Sequence, residues 1–379
     1  MYRPAKTSLQ GRTIDILNVI RNNASLAYQS QIDEIHDIAD LPKVGDSIMG
    51  NPALSNEFIN ALVNRIGLVV TTSAVFNNPY NILKKGVLEF GDSVEEIFVQ
   101  LAKVTAYSAN LASKRELKRY ANDVKSAFHV TNWKVLYPVT IEREQLKRAF
   151  LSADGVERLI TDIINQIFVA QQYDEFLLFK YLLIKGVNSG DIITVDAVSG
   201  DMDKFATAFR GYSNKMTFMS TDYNYSGVLT NAPKESQVIF MDAEFNAAFD
   251  VDVLASAFNM DKADYMGRLL LIDDFTSFDN DRWASIREFG AAYDEDTATG
   301  GPGAFVDEVT EDELSAMQNV KAILCDEKFF QIYDEVSEME EQRVASGLYW
   351  NYFYHNWKIV STSPFANAIA IPAAEEGGD

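Results

Sequence analysis

The sequence predicts an α+β fold, and three observations carry that prediction. Residues Asp154 to Gly186 read as one long amphipathic helix with both ends marked. Just ahead of it, Trp133 to Ile141 alternates with the period of a strand. In the second half of the chain, short apolar runs alternate with helical stretches, the pattern of elements packed on a central sheet.

The helix is the most explicit element. Asp154 followed by Glu157 makes a capping-box start, and Gly186 after Lys185 supplies a stop with a cation at the negative end of the dipole. Val156, Leu159, Ile160, Ile163, Ile164, Ile167 and Phe168 fall at spacings of three and four, so Ile160 through Phe168 is the expected core face. Beyond Tyr173 the stripe broadens through Phe176, Leu177, Phe179, Tyr181, Leu182 and Leu183, which predicts burial on most sides. Gln171 and Gln172 interrupt it, where solvent or an inter-subunit contact is expected. At about 1.5 Å per residue the helix would span about 45 Å. It holds no heptad, which argues against a coiled coil.

Composition narrows the classes. The chain has 379 residues, 47% of them hydrophobic, enough for one large or two medium cores. Three His and one Cys supply too few ligands for a zinc site, a disulfide framework or a haem pocket. Cys325, inside VKAILCD, reads as a buried apolar filler. Neither a secretory leader nor an apolar run long enough to cross a bilayer is evident, so no membrane partner and a cytosol-like compartment of synthesis are expected. The net charge of −22 divides unevenly, +1 over residues 1–190 and −23 over 191–379. Such an acidic half repels nucleic acid at long range.

The N-terminal stretch, residues 1–55, reads as an arm. Ile14, Leu17 and Ile20 mark a short amphipathic helix, Ile32, Ile35 and Ile38 a possible second one, and Pro42, Gly45, Gly50 and Pro52 are expected to break regular structure. An arm of this kind must dock its apolar residues on the body or on a neighbour. Ser55 is read as the cap of a helix through Ile66 that Gly67 ends, with Leu68 to Thr72 strand-like after it. Val87 to Phe90, the Gly91-Asp92 break and Val94 to Val99, including Ile97, read as strand, turn and strand.

Residues 108–126 form a polar helix or loop whose cations, Lys114, Arg115, Lys118, Arg119 and Lys125, are expected to be solvated. In the alternating segment Val135 and Tyr137 share a face with Trp133, Val139 and Ile141, and Pro138 makes it an edge strand. A two-stranded ribbon is marginal alone, so this region is expected to need a partner.

Val238 to Met241, Leu269 to Ile272 and Val320 to Leu324 are the apolar strands of the second half, with a helix near Asp250–Phe258 between the first two. TATGGPG, Thr297 to Gly303, is a loop, Gly347 to Ile371 is aromatic and β-rich, and residues 373–379 are read as a disordered tail. Each of the three strands ends in a carboxylate: Asp242, Asp273 (then Asp274) and Asp326. Gathered at one sheet edge they would hold Mg²⁺ for phosphoryl transfer, but no Gly-rich phosphate loop accompanies them, and Asp after a strand is a common cap. His36, His129 and His355, read in an arm, a loop and an aromatic strand, belong to no nucleophile motif. No enzyme, metal or cofactor is expected.

The longer phrases carry a family resemblance. They are the Asn78–Val104 run, VKSAFHV (Val124–Val130), YPVTI (Tyr137–Ile141), AFLSADGVERLITDIINQIF (Ala149–Phe168), YDEFLLFKYLL (Tyr173–Leu183), DVDVLASAFNMDKADYMGR (Asp250–Arg268) and GLYWNYFYHNWKIVSTSPFANAIAI (Gly347–Ile371). In this order they resemble the major capsid proteins of phi-29-like small podophages, tailed-phage coat proteins with the Hong Kong 97 phage fold. The resemblance implies an N-terminal arm at 1–55, the start of the P-domain at 56–75 and an E-loop reaching over a neighbouring subunit within 76–141. It implies the P-domain at 142–189 with its spine helix at 154–186, an A-domain at 190–346 and a return to the P-domain at 347–372. Val87, Phe90, Gly91, Asp92, Val94, Ile97, Val135 and Tyr137 would then lie on the inter-subunit ribbon.

Further implications are hexamers and pentamers closing into an icosahedral or prolate shell around double-stranded DNA, without sequence-specific binding. Portal and scaffolding proteins would be partners, with assembly in the cytoplasm of a bacterial host. An encapsulin-type compartment loading protein cargo is the alternative of the same fold, and the Mg²⁺-dependent enzyme the alternative of another class.

Overall fold

The computed structural model describes residues 13–58, 61, 77–89, 91, 93–116, 118–121, 123–150, 159, 165–198, 201–247, 268–291 and 306–374. The chain forms two compact units: 1–78 with 135–175 and 336–356, and 79–134 with 176–335 and 357–379.

The first unit contains α1 (Thr13–Asn23), α2 (Leu26–Gln31), α3 (Leu41–Gly50) and α4 (Arg143–Ala149). Ile16, Leu17 and Ile20 of α1 and Leu41 and Ile48 of α3 join one buried cluster with Ile141, Leu146, Phe150, Ile167 and Phe168. Ser25 caps α2 by accepting a hydrogen bond from the Tyr28 backbone N–H at 3.2 Å, so the second helix precedes Ile32 instead of containing it. Pro42 and Gly45 do not break structure here. Pro42 sits in the first turn of α3, where no N–H is needed, and Gly45 lies where a Cβ would stand 2.8 Å from that of Phe150. Ser55 is not a cap either: it lies within a helical stretch, 52–58, and its buried hydroxyl donates to the Ile48 carbonyl at 2.7 Å.

Four strands, β1 (Gly86–Val87), β4 (Thr131–Glu142), β9 (Phe330–Val344) and β10 (Tyr349–Thr362), form a sheet in the order β1-β9-β10-β4. Pro138 therefore lies on an edge strand, where its missing donor costs nothing. Within the first unit Tyr137, Val139, Met339, Trp350, Tyr352 and Tyr354 face the hydrophobic cluster.

The long helix departs from expectation at its C-terminal end. Residues 165–169 form a π-helical turn, and α5 runs from Ala170 to Ser189, past Gly186. Gly190, at φ 84°, terminates it, while Gly186 is needed because a Cβ there would meet Ile192 at 2.9 Å. Lys185 pairs with Glu313 at 2.7 Å. Gln171 is buried and donates to Glu175 at 3.1 Å, and Gln172 accepts from the Asn78 backbone N–H, so neither is the solvent-facing interruption expected from sequence. Ile167 and Phe168 are buried, with Phe168 5.2 Å from the Tyr354 ring, whereas Ile160, Ile163, Ile164 and the expected start at Asp154 lie outside the described residues.

The second unit is built on a five-stranded mixed sheet in the order β5-β11-β8-β6-β7, where β5 is Ile193–Thr194, β6 Gln237–Asp242, β7 Leu269–Ile272, β8 Val320–Asp326 and β11 Ala368–Pro372. Its three apolar runs form the strands read from sequence. Ile239, Leu324, Ile369 and Ile371 pack with Phe205 and Phe209 of α6 (Met202–Met216). Cys325 is buried in β8, and burial pushes its thiol pKa up, which fits a filler. The helix near Asp250–Phe258, the Thr297–Gly303 loop and residues 375–379 lie outside the described residues.

Candidate functional site

Two strands stand apart from both sheets. β2 (Val94–Val99) and β3 (Val124–His129) form a two-stranded antiparallel ribbon, with Ile97 opposite Ser126 and Val99 opposite Val124. The expected turn at Gly91-Asp92 is therefore not the ribbon tip. Val87 instead pairs in parallel with Asp334 of β9, and the tip is the segment 100–123. Phe90 and Asp92 lie outside the described residues, and Gly91 has φ 87°. Within that segment the only described helix is Ala112–Arg115, preceded by a short 3-10 turn, and Val124 onward is strand rather than polar helix.

Strand alternation gives the ribbon two chemically different faces. The inner face is anchored. Phe98 lies 5.8 Å from the Phe365 ring, Ser363 donates to Glu96 at 2.8 Å, and Lys125 donates to the Ser226 carbonyl at 2.8 Å. His129, expected in a loop, is buried on β3, its Nδ1 2.7 Å from Ser361 Oγ and its Nε2 3.5 Å from Glu96. Val94 is half-buried on the same side.

The outer face carries Ile97 at 57% exposure, Val99, Val124 and Phe128 at 65%, and past it Leu101, Val104 and Tyr107 are open to solvent. Neither strand pairs with a third among the described residues. An exposed apolar face with two unpaired edges is costly for an isolated molecule.

Among the expected ribbon residues, Val87 and Ile97 are exposed and Val94 half-buried, whereas Val135 and Tyr137 belong to β4. Tyr137 donates to Asp174 at 2.9 Å and packs on the core of its unit, so it is structural. Sequence reading missed Val99, Val124 and Phe128. In VKSAFHV neither alternate set is wholly apolar, so the period-two signal is weak there.

The strand-end aspartates do not gather. β6 and β7 are parallel, which places Asp242 and Asp273 at one sheet edge, but β8 is antiparallel and sets Asp326 opposite Gln237, at the other. Local hydrogen bonds occupy them. Asp242 accepts from the Phe245 N–H at 2.9 Å, Asp274 from that of Thr276 at 2.8 Å, and Asp326 from that of Lys328 at 3.0 Å. Asp273 accepts from the buried Lys180 ammonium at 2.7 Å. Asp242, Asp273 and Asp274 line a cavity of about 530 Å³ beside Lys321. Among the described residues no group of three His, Cys, Asp or Glu is placed to hold a metal ion. No helix among them is long and apolar enough to cross a membrane.

The protein-family model described as Phi29-like phage major capsid protein matches residues 17–372. The major capsid protein of Bacillus phage GA-1 is 36% identical over 366 residues, covering 94% of this chain and 68% of that one. That of Bacillus phage B103 is 33% identical over 383 residues, covering 99% and 76%. Among solved structures, the capsid of Staphylococcus phage Andhra superposes with a TM-score of 0.59 at 14% identity over 80% of this chain and 86% of that one, which places the fold with Hong Kong 97-type capsid proteins. These relatives lend no support to a protein-cargo compartment or a Mg²⁺-dependent enzyme. A ribbon left without a partner in its own chain thus belongs to a protein made to meet copies of itself: the chain is a member of the Phi29-like phage major capsid protein family.

Proposed function

We propose that the β2–β3 ribbon is the assembly element of this capsid protein, its outer face covered by a neighbouring subunit in the shell. The observation that carries the reading is the apolar outer face, with Ile97 and Phe128 more than half exposed while the inner face is pinned by Glu96, Phe98, Lys125 and His129. Burial of such side chains is worth about 1.5–3 kcal/mol each, and repetition in every subunit sums to a stable shell. The ribbon and its flanks correspond to an E-loop within 76–141, the spine helix to 154–186 and the A-domain to 190–346, with the chain returning to the P-domain at 347–372.

In this reading subunits form hexamers and pentamers, with scaffolding and portal proteins as partners and the host cytoplasm as the place of assembly. The shell encloses double-stranded DNA, which a chain of net charge −22 repels rather than grips. Changing Ile97 and Phe128 together to Asp tests the reading. The variant should keep the melting temperature of the unassembled protein and give no closed particles by electron microscopy. Normal particles would refute the assignment.

A further inference from the structure

The first unit presents a second surface that its own chain leaves open. Because Met339, Trp350, Tyr352, Tyr354, Tyr137 and Val139 point into the core, alternation turns Glu338 and Glu340 of β9, Phe353 of β10, and Leu136 and Pro138 of β4 to the opposite face of that sheet. A hydrogen bond on this face, from Thr140 to the Asn351 side-chain oxygen at 2.7 Å, fits that geometry. Glu338, Glu340 and Pro138 are exposed, and Leu136 and Phe353 half-buried. The two glutamates have no ion-pair partner among the described residues, so the face is apolar with an acidic margin.

The ribbon tip has the complementary character. Residues 100–123 hold five cations, Lys103, Lys114, Arg115, Lys118 and Arg119, against two carboxylates, Glu116 and Asp123, in a chain of net charge −22. Lys114, Lys118 and Arg119 are exposed and form no ion pair among the described residues. Identical acidic copies repel one another, so a favourable contact between them requires a positive segment of one to meet carboxylates of the other. Nucleic acid would attract the same cations, but its backbone offers nothing apolar to cover Ile97, Val99 and Phe128.

We propose that the ribbon of one copy seats on this sheet face of a second copy, its outer face over Leu136, Pro138 and Phe353, with Lys114, Lys118 and Arg119 directed to Glu338 and Glu340. The proposal rests on the reading of the ribbon as an assembly element and names the surface that receives it. The charge pairs set register and rate of encounter more than final affinity, and salt weakens them.

A charge swap in the full chain tests it. Changing Lys114, Lys118 and Arg119 to Glu should abolish closed particles, as should changing Glu338 and Glu340 to Lys, each without lowering the melting temperature of the unassembled protein. The five changes in one chain should restore particles. Restoration absent, or glutamate variants assembling normally, overturns the pairing, while the reading of the ribbon itself stands or falls on the Ile97 and Phe128 variant. Zero-length carbodiimide cross-linking of wild-type shells made from isotope-mixed subunits tests the contact without mutation. Intermolecular links from Lys114 or Lys118 to Glu338 or Glu340 are expected. Links solely to other carboxylates, or particles that dissolve on nuclease treatment, refute it.

Discussion

Glu341 shows how one residue can set a pH response. It sits on β9 with one carboxylate oxygen buried and unpartnered, and burial raises its pKa to about 7 from an ordinary 4.5. The neighbouring Tyr352 hydroxyl is also buried without a partner, and the Glu341 carboxylate adds to the burial that pushes its pKa up. The folded state therefore binds the Glu341 proton more tightly than the unfolded one. Its stabilising effect is complete below the unfolded pKa and lost as pH rises through about 7. The melting temperature of the unassembled wild type should fall relative to Glu341→Gln between those values, and the difference should flatten above pH 7. Parallel melting curves across the range would show that Glu341 does not titrate there. By contrast, Lys180 answers a buried charge with a partner, since Asp273 and Ser277 accept from its ammonium at 2.7 and 3.0 Å.

At the scale of elements, the end of α5 turns on one close approach. Gly186 faces Ile192, whose side-chain carbons would lie 2.9 and 3.0 Å from an added Cβ. Gly186→Ala gains about 1 kcal/mol of helix propensity but meets an overpacking cost of about 1–3 kcal/mol, for a net loss of roughly 1 kcal/mol in denaturant melts. Ile192→Val removes the nearer atom and should recover part of that loss in the double variant. If Gly186→Ala proves more stable than wild type, the helix terminates differently. Local signals misread this point because a glycine after a lysine is the ordinary mark of a helix end, and the isoleucine that explains it lies beyond the turn.

For the whole molecule, the ribbon divides folding from assembly. β1 is paired with β9, so removing residues 84–96 would break a sheet as well as the ribbon. Val99 and Val124 already face each other across the ladder, so replacing residues 100–123 by Asn-Gly closes a tight hairpin without disturbing either unit. That variant should melt within a few degrees of wild type, by the usual conversion for about 1 kcal/mol or less, and form no closed particles. Deletion of 84–96 should lower the melting temperature as well. Calorimetry and electron microscopy together separate the two outcomes. If the Asn-Gly variant loses its cooperative transition, the tip contributes to folding and the division is wrong.

The sequence by itself determined what depends on near neighbours along the chain. The period of β4 and its edge position at Pro138, the buried runs of β6, β7 and β8, and the filler role of Cys325 are local patterns, and long phrases in order carried the family. Tertiary structure decided what depends on remote partners. It set β1 beside β9, paired β2 with β3 across the tip, and sent Asp326 to the edge opposite Asp242 because β8 runs antiparallel. It also put Gly45 against Phe150, and turned the glutamine pair of α5 inward by giving Gln171 Glu175 and Gln172 Asn78. The physical reason is that side-chain period and capping are written within a few residues, whereas strand order, register and close approach arise between segments far apart in sequence, whose pairing no local pattern specifies.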